Sequence, residues 1–289
     1  MSTLSIPKTY KIYLNGAFIR SESGRTFAVT DSGGAFLANI PLSSRKDMRN
    51  AVVAARAALA RWAGATAFLR GQILYRAAEM LDSRSAEFVA LLARHGLKTA
   101  QAQREVATAV ADLVCYVGWA DKFQAVFSTV NPVASPHFNF TALEPTGVVA
   151  VFAPEQEPLV GLLRAVLPVL TGGNTAVVFV SSKYSAVALT LAEVLHHSDF
   201  PAGSIALLSA SRAEILEPVA GHKDINAIAA YGLSPEQQKT LELLGADNVK
   251  RVRCKQSPGG PNPYDILDFQ ECKTTWHPVE VSYAGGSAY

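Results

Sequence analysis

The chain has 289 residues, of which 49% are hydrophobic and 17% are charged, and its formal net charge is +2. This length allows one large or two modest domains with a substantial core. Because the basic residues are dispersed and the net charge is small, nucleic-acid binding has little support. No segment reaches the ~20 uninterrupted apolar residues that a membrane span needs, so no membrane association is expected.

Three cysteines are widely spaced and form no CxxC pair: Cys115, Cys254 and Cys272. This usage is typical of a reducing compartment, and the N-terminal stretch lacks an apolar signal core. We therefore predict a cytoplasmic location. Each thiol is interpreted as a small buried hydrophobe, although Arg253 and Lys255 could lower the pKa of the Cys254 thiol between them. The histidines show no metal-ligand spacing, so no metal site is predicted.

The first half of the chain predicts a hairpin followed by helices. YKIYLNGAFIR alternates around Asn15-Gly16, which is a strong hairpin signal. A helix is then predicted with Ser44 as its N-cap, because apolar residues follow at three- and four-residue spacing. Further apolar stripes predict helices at 66–83, 84–95 and 99–124.

From about residue 137 the pattern changes to strands that alternate with helices. The strand-like segments are VVAVFA, NTAVVFV, SIALLSA, INAIAAYG and VKRVRCK. This alternation implies right-handed crossovers and a parallel sheet with helices on both faces, so we predict an α/β fold. A loop rich in proline and glycine follows, and then a last extended run, ILDFQECKTTWHPVEVSY.

Several motifs carry a resemblance to a known family. The stretch EPTGVVAVFAPEQEPLVGLLRAVLPVLTGGNTAVVFV covers residues 144–180, and WADK, FPAG and HKDI lie elsewhere in the chain. These motifs resemble the aldehyde dehydrogenase superfamily from about residue 9 to residue 256. FQECKTTW is similar to the C-terminal strand of that family.

The resemblance implies a Rossmann-like parallel sheet, an N-terminal helical layer and a β oligomerisation arm. The catalytic domain of the family, which contains its nucleophilic cysteine, is absent, and the ten residues QSPGGPNPYD stand in its place. We predict four parts: an N-terminal hairpin and helical layer at 1–131, an arm hairpin leading into the first core strand at 132–153, a dinucleotide-binding-like core at 146–256 and a C-terminal arm strand at 264–283.

The positions that carry the chemistry of the family are replaced. Its oxyanion-stabilising Asn corresponds to Gln156, whose extra methylene misplaces the amide donor. Its Lys at the cofactor ribose corresponds to Phe179. Its general base, a Glu, corresponds to Lys255, and a lysine acts as a base only with a strongly lowered pKa. We therefore predict no catalytic residue in this chain.

The cofactor positions of the family are partly kept. By the resemblance, the vestiges of a dinucleotide site are Gly232, Ser234, Ala153 and Pro154. In the family the pyrophosphate lies near the N-terminus of the following helix. Here Ser234 and Gln237 predict a capping box that satisfies this helix end, and Glu236 places a negative charge there. We expect no bound cofactor, and at most weak NAD(P) binding.

Three functions remain open. The first is a non-catalytic structural or regulatory subunit that pairs with a full-length aldehyde dehydrogenase. The family arm extends the catalytic sheet of a neighbouring subunit, and this chain has no such sheet to offer in return. It is similar to the nucleophile-lacking second unit of two-unit aldehyde dehydrogenases. The second is a homo-oligomer without catalysis. The third is an NAD(P)-dependent aldehyde dehydrogenase that takes its nucleophile from Cys254 or another chain.

Overall fold

A computed structural model describes residues 7–279 of the chain. Within this range the helices are α1 (Arg45–Ala63), α2 (Ala67–Ser83), α3 (Ser85–Arg94), α4 (Thr99–Ala120), α5 (Phe123–Phe127), α6 (Val160–Thr171), α7 (Ser185–His196), α8 (Arg212–Gly221), α9 (Pro235–Ala246) and α10 (Tyr264–Leu267). The strands are β1 (Ile12–Leu14), β2 (Ala17–Ile19), β3 (Thr26–Thr30), β4 (Phe36–Pro41), β5 (Thr129–Asn131), β6 (His137–Pro145), β7 (Val148–Phe152), β8 (Thr175–Phe179), β9 (Ile205–Leu208), β10 (Ala227–Tyr231), β11 (Arg251–Lys255) and β12 (Gln270–Pro278).

The main sheet has seven strands in the order β11-β10-β7-β8-β9-β1-β2. Strands β7 to β11 are parallel, and every residue of β7, β8 and β10 is buried, as their continuous apolar sequences require. Two hydrophobic clusters lie on its faces, one with α2, α4, α6 and α7 and the other with α1 and α8. The predicted α/β fold with helices on both faces is confirmed.

The N-terminal hairpin is confirmed at Asn15-Gly16, where both residues have positive φ, 51° and 73°. It also extends the main sheet, because β1 pairs antiparallel with β9. A second hairpin, β3–β4, is absent from the sequence-based prediction. The side chain of Asp31 accepts hydrogen bonds from the backbone N–H of Gly33 and Ala35, both at 2.9 Å, and so stabilises the turn.

The helical layer follows the prediction closely. Helix α1 begins after Ser44, whose hydroxyl accepts from the Asp47 N–H at 3.2 Å while the Asp47 carboxylate accepts from the Ser44 N–H at 2.7 Å. This reciprocal pair is a capping box. The helix predicted at 99–124 ends at Ala120, and a separate short helix, α5, follows.

A second sheet, which we call the arm sheet, has the strand order β12-β6-β5. Its hairpin begins at Thr129, before the predicted boundary at 132. The predicted strand at 264–283 is wrong at its start, because Tyr264–Leu267 form α10 and β12 begins only at Gln270. Ile266 and Phe269 are buried there, so this segment packs onto the core instead of extending from it. Residues 280–283 of that prediction lie outside the described residues.

Two buried amides join the base of the arm sheet to the core. The Asn174 side chain accepts from the Gly147 N–H at 2.8 Å and donates to the Phe269 carbonyl at 2.9 Å. Gln270 Nε2 donates to the Gly172 carbonyl at 3.0 Å. The first residue of β12 is thereby fixed against the end of α6.

Within residues 7–279, no single helix is both long enough and apolar enough to cross a membrane. Helices α1 and α2 meet those limits only as a pair, and they are bent by 119° at the break between them. The cytoplasmic location stays a prediction.

Candidate functional site

The candidate site is the crevice at the carboxyl ends of β7 and β10. The chain passes from β7 to β8 and β9 on one side and later to β10 and β11 on the other, so the strand order reverses between β7 and β10. In open α/β sheets, ligands bind beyond the carboxyl ends of the strands at such a reversal. The crevice here lies just beyond Phe152 and Tyr231, the last residues of these strands.

Arg212, the first residue of α8, occupies this crevice with its side chain. One terminal nitrogen donates to the carbonyl of Ala153, and the other donates to the carbonyl of Tyr231 at 3.2 Å. Its Nε lies 3.1 Å from a carboxylate oxygen of Glu155, and the side chain is only 15% exposed. Burial lowers the pKa of Arg212 and the Glu155 carboxylate opposes that effect, so the guanidinium remains charged.

Glu155 links this arginine to the loop after β8. Its second carboxylate oxygen accepts from the Ser181 hydroxyl at 2.9 Å, from the Ser182 N–H at 3.0 Å and from the Ser182 hydroxyl at 3.1 Å. One carboxylate oxygen therefore has three protein donors, and the other forms an ion pair with Arg212. Together, Arg212 and Glu155 tie the loops after β7, β8 and β10 to one another.

An open cleft of about 630 Å³ lies beside this network. Gln156 and Lys183 are on its walls and are exposed. The Lys183 ammonium lies 4.8 Å from the centroid of the Tyr184 ring. The Lys183 side chain is solvated and does not reach into the crevice network.

Phe179 belongs to the core. It is 2% exposed, and its ring stacks on that of Phe152 with the centroids 5.0 Å apart and the planes at 26°. The side chain contributes to the cluster between the sheet and α1 and α8. No polar group at this position faces the crevice.

Lys255, at the end of β11, is held by two carboxylates. Its ammonium lies 2.7 Å from Asp265 and 3.0 Å from Asp268, both in the segment that follows the main sheet. Burial alone would lower the pKa of Lys255, but the hydrogen bonds and charges of the two aspartates raise it above its ordinary value. A lysine with a raised pKa stays protonated and cannot accept a proton at neutral pH.

The four residues predicted as remnants of a cofactor site lie in two places. Ala153 and Pro154 are buried at the floor of the crevice, and Gly232 turns the chain with a φ of 64°. Ser234 caps α9, where its hydroxyl accepts from the Gln237 N–H at 3.3 Å and its own N–H donates to the Gln237 side chain at 3.1 Å. The predicted capping box is therefore present, and it satisfies two backbone groups at this helix end.

The cysteines differ from their prediction. Cys115 and Cys272 are exposed and Cys254 is half-buried, so none of them is a fully buried hydrophobe. The pKa of the Cys254 thiol is raised, first by burial and then by the charge of Glu242, which contradicts the lowering suggested by its basic neighbours. Burial, followed by Asp112, also raises the pKa of Cys115. Among residues 7–279, no group of His, Cys, Asp or Glu could hold a metal ion.

Arg212 and Glu155 are the main residues that sequence reasoning missed. They lie 57 positions apart, Glu155 three residues after the end of β7 and Arg212 four residues after the end of β9. A charged residue shortly after a buried parallel strand is the signal that was available, because all such strand ends meet at one edge of the sheet.

The profile of the aldehyde dehydrogenase family matches residues 18–277. The chain belongs to the aldehyde dehydrogenase family. It is 28% identical to cytosolic 10-formyltetrahydrofolate dehydrogenase of Xenopus tropicalis over 93% of this chain and 30% of that protein. It is 30% identical to hydroxyisobutyraldehyde dehydrogenase of Mycolicibacterium austroafricanum over 89% of this chain and 50% of that protein.

A solved structure gives the same result for the fold. Aldehyde dehydrogenase from Bacillus cereus, in its NAD+ complex, superposes with a TM-score of 0.80 at 25% identity, over 86% of this chain and 50% of that one. The chain thus spans a third to a half of the length of these relatives. The resemblance to the family is confirmed, and in this chain only 14 residues separate β11 from β12.

Proposed function

We propose that this chain is a non-catalytic aldehyde dehydrogenase-like subunit that binds a full-length aldehyde dehydrogenase through its arm sheet. The observation that carries the proposal is the state of the family's working positions. Phe179 is core, Lys255 is fixed by two aspartates, and Arg212 fills the crevice. Each of these side chains makes its contacts within the folded chain.

Catalysis by the isolated chain is disfavoured by the state of its thiols. A cysteine nucleophile needs a lowered pKa, from a cation or a helix N-terminus. The pKa values of Cys115 and Cys254 are raised instead. Lys255 does not provide a general base either, because its raised pKa keeps the side chain protonated.

Cofactor binding is disfavoured by the crevice itself. A pyrophosphate there would meet the Glu155 carboxylate and would have to displace Arg212 from two backbone carbonyls. An anion next to a carboxylate is repelled, and the displaced carbonyls would lose their buried donors. The residues present do not fit NAD(P), and we expect neither NAD nor NADP to bind with a micromolar constant in calorimetric titration.

Partner binding is favoured by the open edge of the arm sheet. One edge of β12 pairs with β6 in continuous register from Gln270↔Pro145 to Pro278↔His137, and the other edge has no strand partner within the described residues. All residues of β12 after Gln270 are exposed, including Trp276 at 57%. An unpaired strand edge is a template for β-augmentation by another chain.

The test is capture from the native host with a tagged copy of this chain. We expect a full-length aldehyde dehydrogenase in stoichiometric amount, identified by mass spectrometry, and a complex whose mass in light scattering equals the sum of whole subunits. A chain that captures no aldehyde dehydrogenase but forms a stable homodimer or tetramer would replace this proposal with self-assembly. Aldehyde-dependent NADH formation by the chain alone would replace it with an enzyme.

A matched pair of variants tests whether the arm sheet makes the contact with the partner. Trp276→Glu places a charge on exposed β12, and Phe68→Glu places the same charge on the exposed face of α2. We expect the first variant to lose the captured dehydrogenase and the second to retain it. Equal capture by both variants would remove the arm sheet from the proposal.

A further inference from the structure

A second cleft lies at the opposite end of the main sheet from the crevice. It has a volume of about 670 Å³ and surrounds the amino ends of β7, β10 and β11, where Thr146, Asn226 and Lys250 precede the strands. A volume of this size is within the range of small-molecule sites. Because the two clefts are at opposite strand ends, this one is separate from the family's cofactor position.

The cleft carries an excess of positive charge. Four cations line it, Lys223, Lys250, Arg251 and Arg253, against two carboxylates, Glu242 and Glu271. Arg251 lies 2.9 Å from Glu271, and Arg253 lies 3.1 Å from Asp268 just outside the lining. The two arginines are therefore compensated by carboxylates of the chain.

Lys250 is not compensated in this way. Its side chain is only 9% exposed, and its ammonium donates to the neutral Asn248 side chain at 2.6 Å. Throughout residues 7–279, no carboxylate oxygen lies within 4.0 Å of this ammonium. A buried charge without a counter-charge is costly, and here burial lowers the pKa of Lys250 to about 8.

The local backbone holds Lys250 in this position. Its N–H donates to the Gly245 carbonyl at 2.9 Å, at the end of α9. A Cβ on Gly245 would lie 3.1 Å from Val252 and 3.6 Å from the Cβ of Lys250, so the absence of a side chain lets α9 approach β11 closely. Helix α9 thereby covers the aliphatic part of the Lys250 side chain, and the ammonium reaches the cleft beside Asn248.

We propose that this cleft binds a small phosphate monoester, with Lys250 as the central charge and Lys223 at the rim. A phosphate dianion supplies the counter-charge that Lys250 lacks, and lysine binds phosphate as a point charge. The cleft exceeds the size of the phosphate group, so the organic part of the ligand lies against Ile225 and Val252 on its wall. Glu271 of β12 also lines the cleft, so the site adjoins the base of the arm sheet.

The first experiment uses pyridoxal 5′-phosphate as the probe. With its phosphate held at Lys250, its aldehyde carbon forms an imine with the neutral amine of Lys223 and releases water, and borohydride then reduces the imine to a stable secondary amine. Peptide mapping is expected to show Lys223 labelled about tenfold faster than Lys183 and Lys239, which are also exposed.

Two controls separate anion binding from simple amine reactivity. Pyridoxal, which lacks the phosphate, should label Lys223 about tenfold more slowly than pyridoxal 5′-phosphate does, and millimolar inorganic phosphate should suppress the labelling. Equal labelling by the two aldehydes, or labelling unaffected by phosphate, would show a reactive lysine without an anion site and would overturn the proposal.

The second experiment measures binding without chemistry. Inorganic phosphate should raise the melting temperature of the wild type relative to chloride at equal ionic strength, because it binds the folded state. Lys250→Met, which keeps most of the stem, should lose this rise, whereas Lys183→Met should keep it. If Lys250→Met does not fold, Lys223→Gln serves in its place and should reduce the rise. A rise that neither cleft variant diminishes, or no rise in the wild type, contradicts the site.

Discussion

Polar groups are paired differently in two regions of the molecule: the crevice between β7 and β10, and the arm sheet. In the crevice, Arg212 and Glu155 have protein partners and the surrounding backbone is buried. In the arm sheet, one edge of β12 is bonded and the other has no strand partner among residues 7–279, and all but the first residue of β12 are exposed. The polar groups of the crevice are therefore paired within the chain, whereas one edge of β12 has no strand partner within residues 7–279.

The difference indicates where an external contact belongs. A strand that buries one residue adds little to the stability of the isolated chain, because an isolated antiparallel ladder is only marginally stable in water. The contacts of the crevice residues, by contrast, all stabilise the folded chain. The contact that remains to be explained lies on the arm sheet.

The largest expected effect comes from Phe179→Lys, which returns the crevice to the residue type of the family. The ammonium would enter the stack with Phe152 without a counter-charge, and we expect a loss of about 3–5 kcal/mol in the free energy of unfolding. Urea denaturation measures this loss. The apolar control Phe179→Leu should cost about 1.5 kcal/mol or less. A stable Phe179→Lys protein that binds NAD would show that the crevice is still a cofactor site.

Arg212→Ala is expected to have the next largest effect. It leaves Glu155 without its cation and two strand-end carbonyls without a donor, so the free energy of unfolding should fall by about 2 kcal/mol. The control is Arg25→Ala, since Arg25 also pairs with a glutamate at α8 but is exposed. We expect the control to unfold at nearly the same urea concentration as the wild type. Equal midpoints for both variants would contradict the closed crevice.

A smaller effect is expected at the helix end beside the crevice. Ser234→Ala removes the capping hydroxyl of α9 and should cost about 1 kcal/mol in the free energy of unfolding. Ser211→Ala changes the same residue type at the N-cap of α8, where the side chain makes no capping hydrogen bond, and should cost close to nothing. Equal costs for the two serines would mean that the capping box does not stabilise α9.

The smallest effect concerns Lys255 and depends on pH. The pKa of Lys255 is raised in the folded state, so the stabilisation from its two aspartates is present below about pH 10.5 and is lost as the pH rises through the folded pKa. Because the side chain is 37% exposed, Lys255→Met should lower the free energy of unfolding by ~1 kcal/mol or less at pH 8. At pH 11 the difference between the two proteins should shrink. A difference that grows with pH would contradict the assigned ion pairs.

Local sequence signals predicted much of this fold. The N-cap at Ser44, the capping box at Ser234 and the turn at Asn15-Gly16 depend on residues no more than three apart, and all are present. Cys115 was misplaced because the buried stripe of α4 passes through Leu113 and Tyr116, and the two residues between them, Val114 and Cys115, turn outward at helical periodicity.

The contacts in the crevice could not be predicted in the same way. Arg212 meets Glu155 and Tyr231 only because the strand order places β7 beside β10, and a single sequence does not state that order. The helix α10 was mistaken for a strand because β-favouring Thr and Trp residues follow it. In the folded chain, burial of Ile266 and Phe269 outweighs that preference.

The two amides at the base of the arm, Asn174 and Gln270, have a consequence for association. Because both are buried and hydrogen-bonded to the core, the direction in which β12 leaves the molecule is set in the free subunit. Docking then needs little ordering of the strand at its root, which removes one of the usual entropic penalties of binding. Under the proposed function, we therefore expect a partner to meet the strand at a fixed angle.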